Sequence, residues 1–354
     1  MVYLKTAATG PVPRPVIDAP AEFYRELMEE GDRNWEEWVA RREGTRKRIA
    51  EMINADAEEI AFAPNTSTGM NVIVDALEGT GEVISSELEF PVTTVPWLHR
   101  GIRVHLLRAT DGEVRTEDVR SAMSERTKII ALSHVQYSNG FRLDLEVIGR
   151  NKGDHFLIVN ASQSAGVLPI DVKRMRIDAL CATGHKWMLA GLGTGFLYLS
   201  RELLERTRPR AVGWMSVEDA FGMRNNEFKL RADAAARIEL GVPQFASIFA
   251  LGAASDYLME LKIENIERRA LELNRYLTNH LIEAGWKVLS PIANEKSRSA
   301  ETLVHLEQPS QAIAHLLKRG VDVTRKPEGI RVATDFFNNE ADIERLIEAL
   351  NEMR

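Results

Sequence analysis

Three short stretches hold side chains able to do chemistry where a backbone turn would present them. In the first, Ala182-Thr183-Gly184-His185-Lys186-Trp187 follows an apolar run and precedes Gly191-Leu192-Gly193-Thr194-Gly195. A lysine held at a strand end is poorly hydrated, which favours the neutral amine that condenses with a carbonyl to a Schiff base. An arbitrary lysine is ordinarily a solvated surface charge, but these neighbours argue for Lys186 as a reactive amine. In the second, the apolar run Phe156-Leu157-Ile158-Val159 ends in Asn160-Ala161-Ser162-Gln163. Side chains at the carboxyl end of a parallel strand face the crevice where α/β proteins bind ligands, so Asn160 and Gln163 are candidates. In the third, Pro64-Asn65-Thr66-Ser67-Thr68-Gly69 leads into an apolar helical pattern. Hydroxyls and free N–H groups at a helix start suit a phosphate, although plain N-capping explains the same residues.

Other nucleotide signatures fail. The third stretch lacks the GKS or GKT ending of a P-loop, and Gly191 to Gly195 precedes a strand and opens no helix, so it reads as a turn.

The elements needed to carry these stretches are visible as short apolar runs at Ile60-Phe62, Val83-Ser85, Val104-Leu107, Lys128-Ser133, Phe156-Val159, Ala179-Ala182 and Gly195-Leu199. Helix-length segments separate them, which predicts βαβ units and a mainly parallel, helix-covered sheet. The expected organisation is an arm over 1–15, without helix because of Pro11, Pro13 and Pro15, then a large α/β domain over 16–250. Helix is expected from about Pro20 to Asn54, with Trp35 and Trp38 as packing residues. A smaller α+β domain over 251–354 is expected to hold strands at Lys287-Leu289, Thr302-Leu306 and Ile330-Val332 and a last helix from Ala341.

Composition narrows the function classes. The chain has 354 residues, 44% hydrophobic, enough for a large core, with a net charge of −7. An acidic balance argues against nucleic acid, whose phosphates need a basic face. The start lacks a signal-peptide pattern and no run approaches a membrane span, so a cytoplasmic protein is expected. The single cysteine, Cys181, excludes internal disulfides and multi-cysteine zinc sites. No G-x-S-x-G elbow or His-x-x-x-His spacing points to a serine hydrolase or a metal site.

Taken together in this order, the stretches resemble the class V aminotransferase family of pyridoxal-phosphate enzymes, including cysteine desulfurases and isopenicillin-N epimerase-like proteins. The resemblance spans nearly the whole chain and implies the aspartate-aminotransferase-like fold, called fold type I, with pyridoxal 5'-phosphate as cofactor. Gly184-His185-Lys186 match the lysine signature, making Lys186 the implied Schiff-base lysine and His185, with Thr183, implied phosphate contacts. Asn65-Thr66-Ser67 match the phosphate-binding turn, Tyr3 to Gly10 the arm at the site mouth, and Ser133-His134-Val135 the strand before the substrate loop. Gly329-Ile330-Arg331-Val332 match the segment whose arginine clamps the substrate carboxylate. The resemblance further implies Phe90 over the cofactor ring, Gln163 toward its phenolate oxygen, and Tyr137 and Trp214 as weaker candidates for the substrate wall. It also implies a homodimer with shared sites, Gly241-Val242-Pro243-Gln244 crossing the interface.

Three departures shape the expected activity. Phe90 stands where desulfurases stack a histidine, and it cannot relay a proton. The stretch Thr324-Arg325-Lys326-Pro327-Glu328-Gly329 has no thiol where desulfurases carry their nucleophile, and Cys181 reads as buried and inert. Persulfide chemistry is therefore not expected. The family's aspartate on the pyridine nitrogen is Asn160 here, and an amide cannot keep that nitrogen charged as a carboxylate does. A weaker electron sink slows transamination more than loss of a β-substituent, whose departure drains the carbanion. The expectation is an enzyme acting on a small α-amino acid, with β-elimination of the C–S lyase type slightly favoured. Transamination comes second, then epimerisation or a catalytically weakened scaffold.

Overall fold

A computed structural model of the chain describes residues 1–206, 209–231 and 236–354. Seven strands form its central sheet: β1 (Ile60–Phe62), β2 (Glu82–Ser86), β3 (Val104–Leu107), β4 (Thr127–Ser133), β5 (Phe156–Asn160), β6 (Ala179–Thr183) and β7 (Gly195–Leu199). Their order is β1-β7-β6-β5-β4-β2-β3. The run from β6 to β3 is parallel, and β7 alone runs antiparallel to both of its neighbours. Helices cover both faces, so β5, β6 and β7 are buried along their whole length and read as unbroken apolar runs. The expected strands thus appear within a residue or two of their expected ends.

A second sheet is antiparallel, with β9 (Thr324–Lys326), β10 (Gly329–Ala333) and β8 (Glu301–His305) in that spatial order. Its own apolar core includes Leu273, Leu277, Leu316, Ile330 and Leu346. The expected strand at Lys287-Leu289 is reduced to a bridge between Val288 and Val304. The expected boundary at residue 250 falls inside one unbroken helix, Phe245–Leu261.

The amino-terminal segment departs from expectation. A helix begins at Arg14 and continues to Glu30, with Pro15 in its first turn, where a missing N–H costs nothing, and Pro20 in its interior. A second helix runs from Trp35 to Met52, and Trp38 is buried there against Phe23 and Phe245. The first residues are anchored rather than loose. Val2 and Tyr3 pair in parallel with Val321 and Asp322, and the Ala333 N–H donates to the Leu4 carbonyl. Leu4 is fully buried, a contribution of about 2 kcal/mol. Among the described residues, no helix is long and apolar enough to cross a membrane.

Candidate active site

The Asn160 and Lys186 stretches converge because β4, β5 and β6 are parallel and in register, with Ser133 beside Asn160 and Asn160 beside Cys181. The Thr66 stretch joins them because β1 and β6 both run antiparallel to the β7 between them and so point the same way. Their carboxyl ends open into a cavity of about 400 Å³. Thr66, Ser67, Phe90, Tyr137, Asn160, Gln163, Thr183, His185, Lys186 and Arg331 all line it. Trp214 does not. It belongs to a separate cavity with Val217, Phe228 and Lys229, where its ring packs edge-on against Phe221. Within this chain Trp214 and the strand ends thus line different cavities.

Lys186 sits two residues past the turn glycine that follows β6. The arm holds this turn: the Gly10 N–H donates to the His185 carbonyl, and a Cβ on Gly10 would stand 2.3 Å from the Lys186 carbonyl oxygen. Gly166 allows a similar approach from the other side, with φ +100° and a Cβ position 2.4 Å from the Trp187 oxygen. Burial, then the nearby Arg331 charge, pulls the Lys186 amine down to about 8, with Glu301 opposing. Nζ lies 6.0 Å from the centre of the Phe90 ring.

The phosphate-like corner forms where the helix Thr66–Ala76 starts. Asn65 caps it, its side chain accepting from the Thr68 N–H at 2.9 Å, so the Thr66 and Ser67 hydroxyls are left at the positive end of the helix. Thr66 Oγ1 lies 2.7 Å from Ser162 Oγ. Thr183 Oγ1 is 2.6 Å from His185 Nδ1, which leaves Nε2 as the ring nitrogen free for a ligand. Burial, then Lys186, lowers the His185 pKa, so its ring is neutral near pH 7.

Asn160 is oriented by its neighbours. Its Oδ1 accepts from the Ser162 N–H at 3.1 Å, and its Nδ2 donates to Thr93 Oγ1 at 3.1 Å. Thr93 is also bonded to the buried Glu89 carboxylate. The amide therefore has one N–H left. Gln163 is similarly engaged: Nε2 donates to the Ala7 carbonyl at 3.0 Å and Oε1 accepts from Trp187 Nε1 at 2.8 Å. It too keeps one N–H.

Arg331, on β10, is 4% exposed. Its Nη1 donates to the Tyr137 carbonyl at 2.9 Å and stands 3.0 Å from Glu301 Oε2. That ion pair has the distance of a hydrogen bond but not its alignment, and Arg331 Nε and both Glu301 oxygens lack hydrogen-bond partners. Glu301 on β8 and the cavity-lining Lys326 on β9 were missed in the sequence. So were Ser133 and Ser162, which close the strand-end wall. Adjacency in the sheet was the available signal for Glu301, but it follows from a β8–β10 pairing some thirty residues apart that no local pattern announces.

The parallel sheet with its site at a strand-end crevice defines an α/β enzyme fold, and a buried amine beside an anion-suited helix start defines its site. The chain belongs to the aminotransferase class-V family, whose profile matches residues 2–344, the pyridoxal-phosphate family its lysine motif resembles. It is similar to the uncharacterized aminotransferase YcbU of Bacillus subtilis (strain 168), 27% identical over 98% of this chain and 93% of the relative. It is also similar to a probable cysteine desulfurase of Methanothermobacter thermautotrophicus, 30% identical over 78% of this chain and 71% of the relative. Among solved structures, the apo cysteine desulfurase from Thermococcus onnurineus NA1 matches with a TM-score of 0.91 at 24% identity, covering 99% of this chain and 94% of that one. The fold-type I expectation is therefore met.

The cavity's donor set suits the family's cofactor. Neutral hydroxyls, a neutral imidazole and a helix amino terminus favour a phosphate at one end, while an amine held near neutrality favours an aldehyde at the other.

Proposed function

We propose that the chain is a pyridoxal-phosphate-dependent enzyme acting on a small α-amino acid, with loss of a β-substituent favoured over amino transfer. The cofactor, when bound, supplies the electron sink for the carbanion formed at the substrate α-carbon. Lys186 Nζ provides the attachment point and, once displaced by the substrate amine, moves the α-proton. Thr66, Ser67 and His185 Nε2 hold the phosphate, and Phe90 covers the ring. Arg331, which lines the cavity and is fixed there by the Tyr137 carbonyl, meets the substrate carboxylate.

The observation that carries the preference for elimination is the fixed Asn160 amide. Oδ1 is turned to the Ser162 N–H and Nδ2 keeps one N–H, and a neutral amide in either orientation lacks the charge with which a carboxylate holds the ring nitrogen protonated. Amino transfer depends on a charged ring more than elimination does. It remains the second reading, because Lys186 serves both reactions and the Bacillus subtilis relative carries that name.

Persulfide formation on a chain thiol has no support in this cavity. Cys181 is fully buried on β6, and burial drives its thiol far above the ordinary range. The desulfurase names of several relatives keep sulfur-containing amino acids foremost as substrates.

The test mixes the holoprotein with single L-amino acids and no oxo acid. Sustained release of 2-oxo acid and ammonia from cysteine or cystine supports the reading, whereas a halt after one equivalent makes it an aminotransferase. Asn160→Asp is expected to raise amino transfer relative to elimination by about tenfold. The reading includes a homodimer, supported by exposed Leu192 and Val242 beside a cavity that Gly241 to Gln244 share with Pro64, and checked by sedimentation.

A further inference from the structure

We propose that Lys326 binds the substrate carboxylate jointly with Arg331 and supplies the net positive charge that draws it in, while Arg331 sets its plane. This rests on the amino-acid reading above. The ground is the arrangement around Tyr137. Its carbonyl accepts from Arg331 Nη1 at 2.9 Å, and its ring lies under Lys326 Nζ at 4.0 Å from the ring centre. One residue thus positions both cations on the same wall of the cavity, whose lining includes Lys326, Arg331 and Tyr137.

Their charges are not equivalent. Arg331 is spoken for: Glu301, fully buried, stands 3.0 Å from Nη1 and cancels most of its charge. Lys326 forms no ion pair among the described residues: its Nζ lies over the Tyr137 ring, and Glu301 and Glu328 act on it only at longer range. Lys186, whose amine the cofactor takes, leaves the count. The wall therefore holds Arg331, Glu301 and Lys326 with a net charge of +1, which one α-carboxylate closes. A cation–π contact is weaker than a charge-assisted hydrogen bond to a carboxylate, so the ammonium exchanges the ring for the ligand.

The geometry also divides the labour. Arg331 Nη1 is held by the Tyr137 carbonyl and Glu301, so the guanidinium is a fixed plane that orients a carboxylate but carries little uncancelled charge. Lys326 is a point charge on a flexible stem, fit to attract and not to orient. Two consequences differ from those of a lone arginine clamp: neutralising Lys326 weakens carboxylate binding without disordering the site, and neutralising Glu301 strengthens it.

The experiment titrates the holoprotein with the unreactive probes propionate and succinate by calorimetry at two salt concentrations. For Lys326→Met, propionate affinity is expected to fall about tenfold and its salt dependence to flatten, with Lys326→Arg restoring both. Glu301→Gln is expected to tighten propionate severalfold. Unchanged propionate affinity in Lys326→Met, with Arg331→Met still weakening it, overturns the role of Lys326 and leaves the amino-acid reading standing. If succinate binds tighter than propionate and Lys326→Met removes only that advantage, Lys326 serves a second anionic group and the joint clamp is wrong. If neither Lys326→Met nor Arg331→Met weakens propionate, the amino-acid reading itself fails.

Discussion

Two buried glutamates sit behind residues that line the cavity, Glu89 behind Ser133 and Glu301 behind Arg331, and the chain treats them in opposite ways. Glu89, by the strand ends, is surrounded by neutral donors: the Ser133 N–H and Gln136 Nε2 each at 2.6 Å, and the Ser133 hydroxyl. Glu301, on the small sheet, receives no hydrogen bond and faces Arg331 instead. Burial raises the pKa of both, opposed at Glu89 by its donors and at Glu301 by cations. The difference teaches which wall is finished. At the strand ends the buried charge is satisfied by neutral donors and belongs to a preorganised scaffold, whereas on the small-sheet side it is balanced only by an opposite charge.

The largest expected effect breaks the scaffold at its reactive point. Lys186→Ala should abolish covalent attachment of pyridoxal phosphate and lower turnover by about 10³-fold or more, while Thr66, Ser67 and His185 still bind the cofactor reversibly. Absorbance before and after borohydride reduction measures attachment. The same amine gives a pH signature. With Lys186 at about 8, attachment to cofactor-free protein should rise with pH around a midpoint near 8, as the ammonium becomes neutral, and not near the 10.5 of a free lysine.

A smaller effect sharpens the contrast between the acids. Glu89→Gln turns an amide N–H toward existing donors and leaves buried groups unpaired, so it should cost about 1–3 kcal/mol of stability with little change in carboxylate binding. Glu301→Gln instead leaves the buried Arg331 guanidinium without its counter-charge. It should also cost stability, but unlike Glu89→Gln it should tighten carboxylate binding, which calorimetry on the two variants separates. Unchanged carboxylate binding in both variants would mean that the walls are not different in kind.

How much of this was legible follows the same division. Lys186, Asn160 and Thr66 lie where apolar runs stop and polar residues begin; the parallel register brings the first two ends together, and the antiparallel β7 sets β1 alongside them. The small-sheet wall gave no such sign. Thr324–Lys326 is a strand of polar and charged residues with no alternation, and Glu301 opens a strand whose importance lies in its pairing with β10. Arg331 was found through its motif, yet the cancelling of its charge by Glu301 was invisible. Trp214 carries no strand-end signal of this kind, and within this chain it lines a separate cavity. The arm's prolines were read as excluding helix, when Pro15 sits in a first turn that tolerates it.

Asp335 gives the smallest effect and a control for the comparison. Like Glu301 it belongs to the small-sheet side and keeps an oxygen, Oδ2, without a hydrogen bond, while Oδ1 accepts from the Phe336 N–H at 2.8 Å. Unlike Glu301 it has no cation beside it, and burial raises its carboxyl from 3.8 to about 7. Between those values the folded chain holds a proton that the unfolded chain has lost. The stability this group contributes therefore falls as pH rises from about 4 to 7, and stays lost above that. Asp335→Asn keeps the Oδ1 acceptor and removes the titration. Its Tm should exceed that of the parent by a few degrees at pH 8 and match it near pH 4. An equal shift at both pH values would assign the change to packing, and burial alone would then not distinguish Asp335 from the cation-paired Glu301.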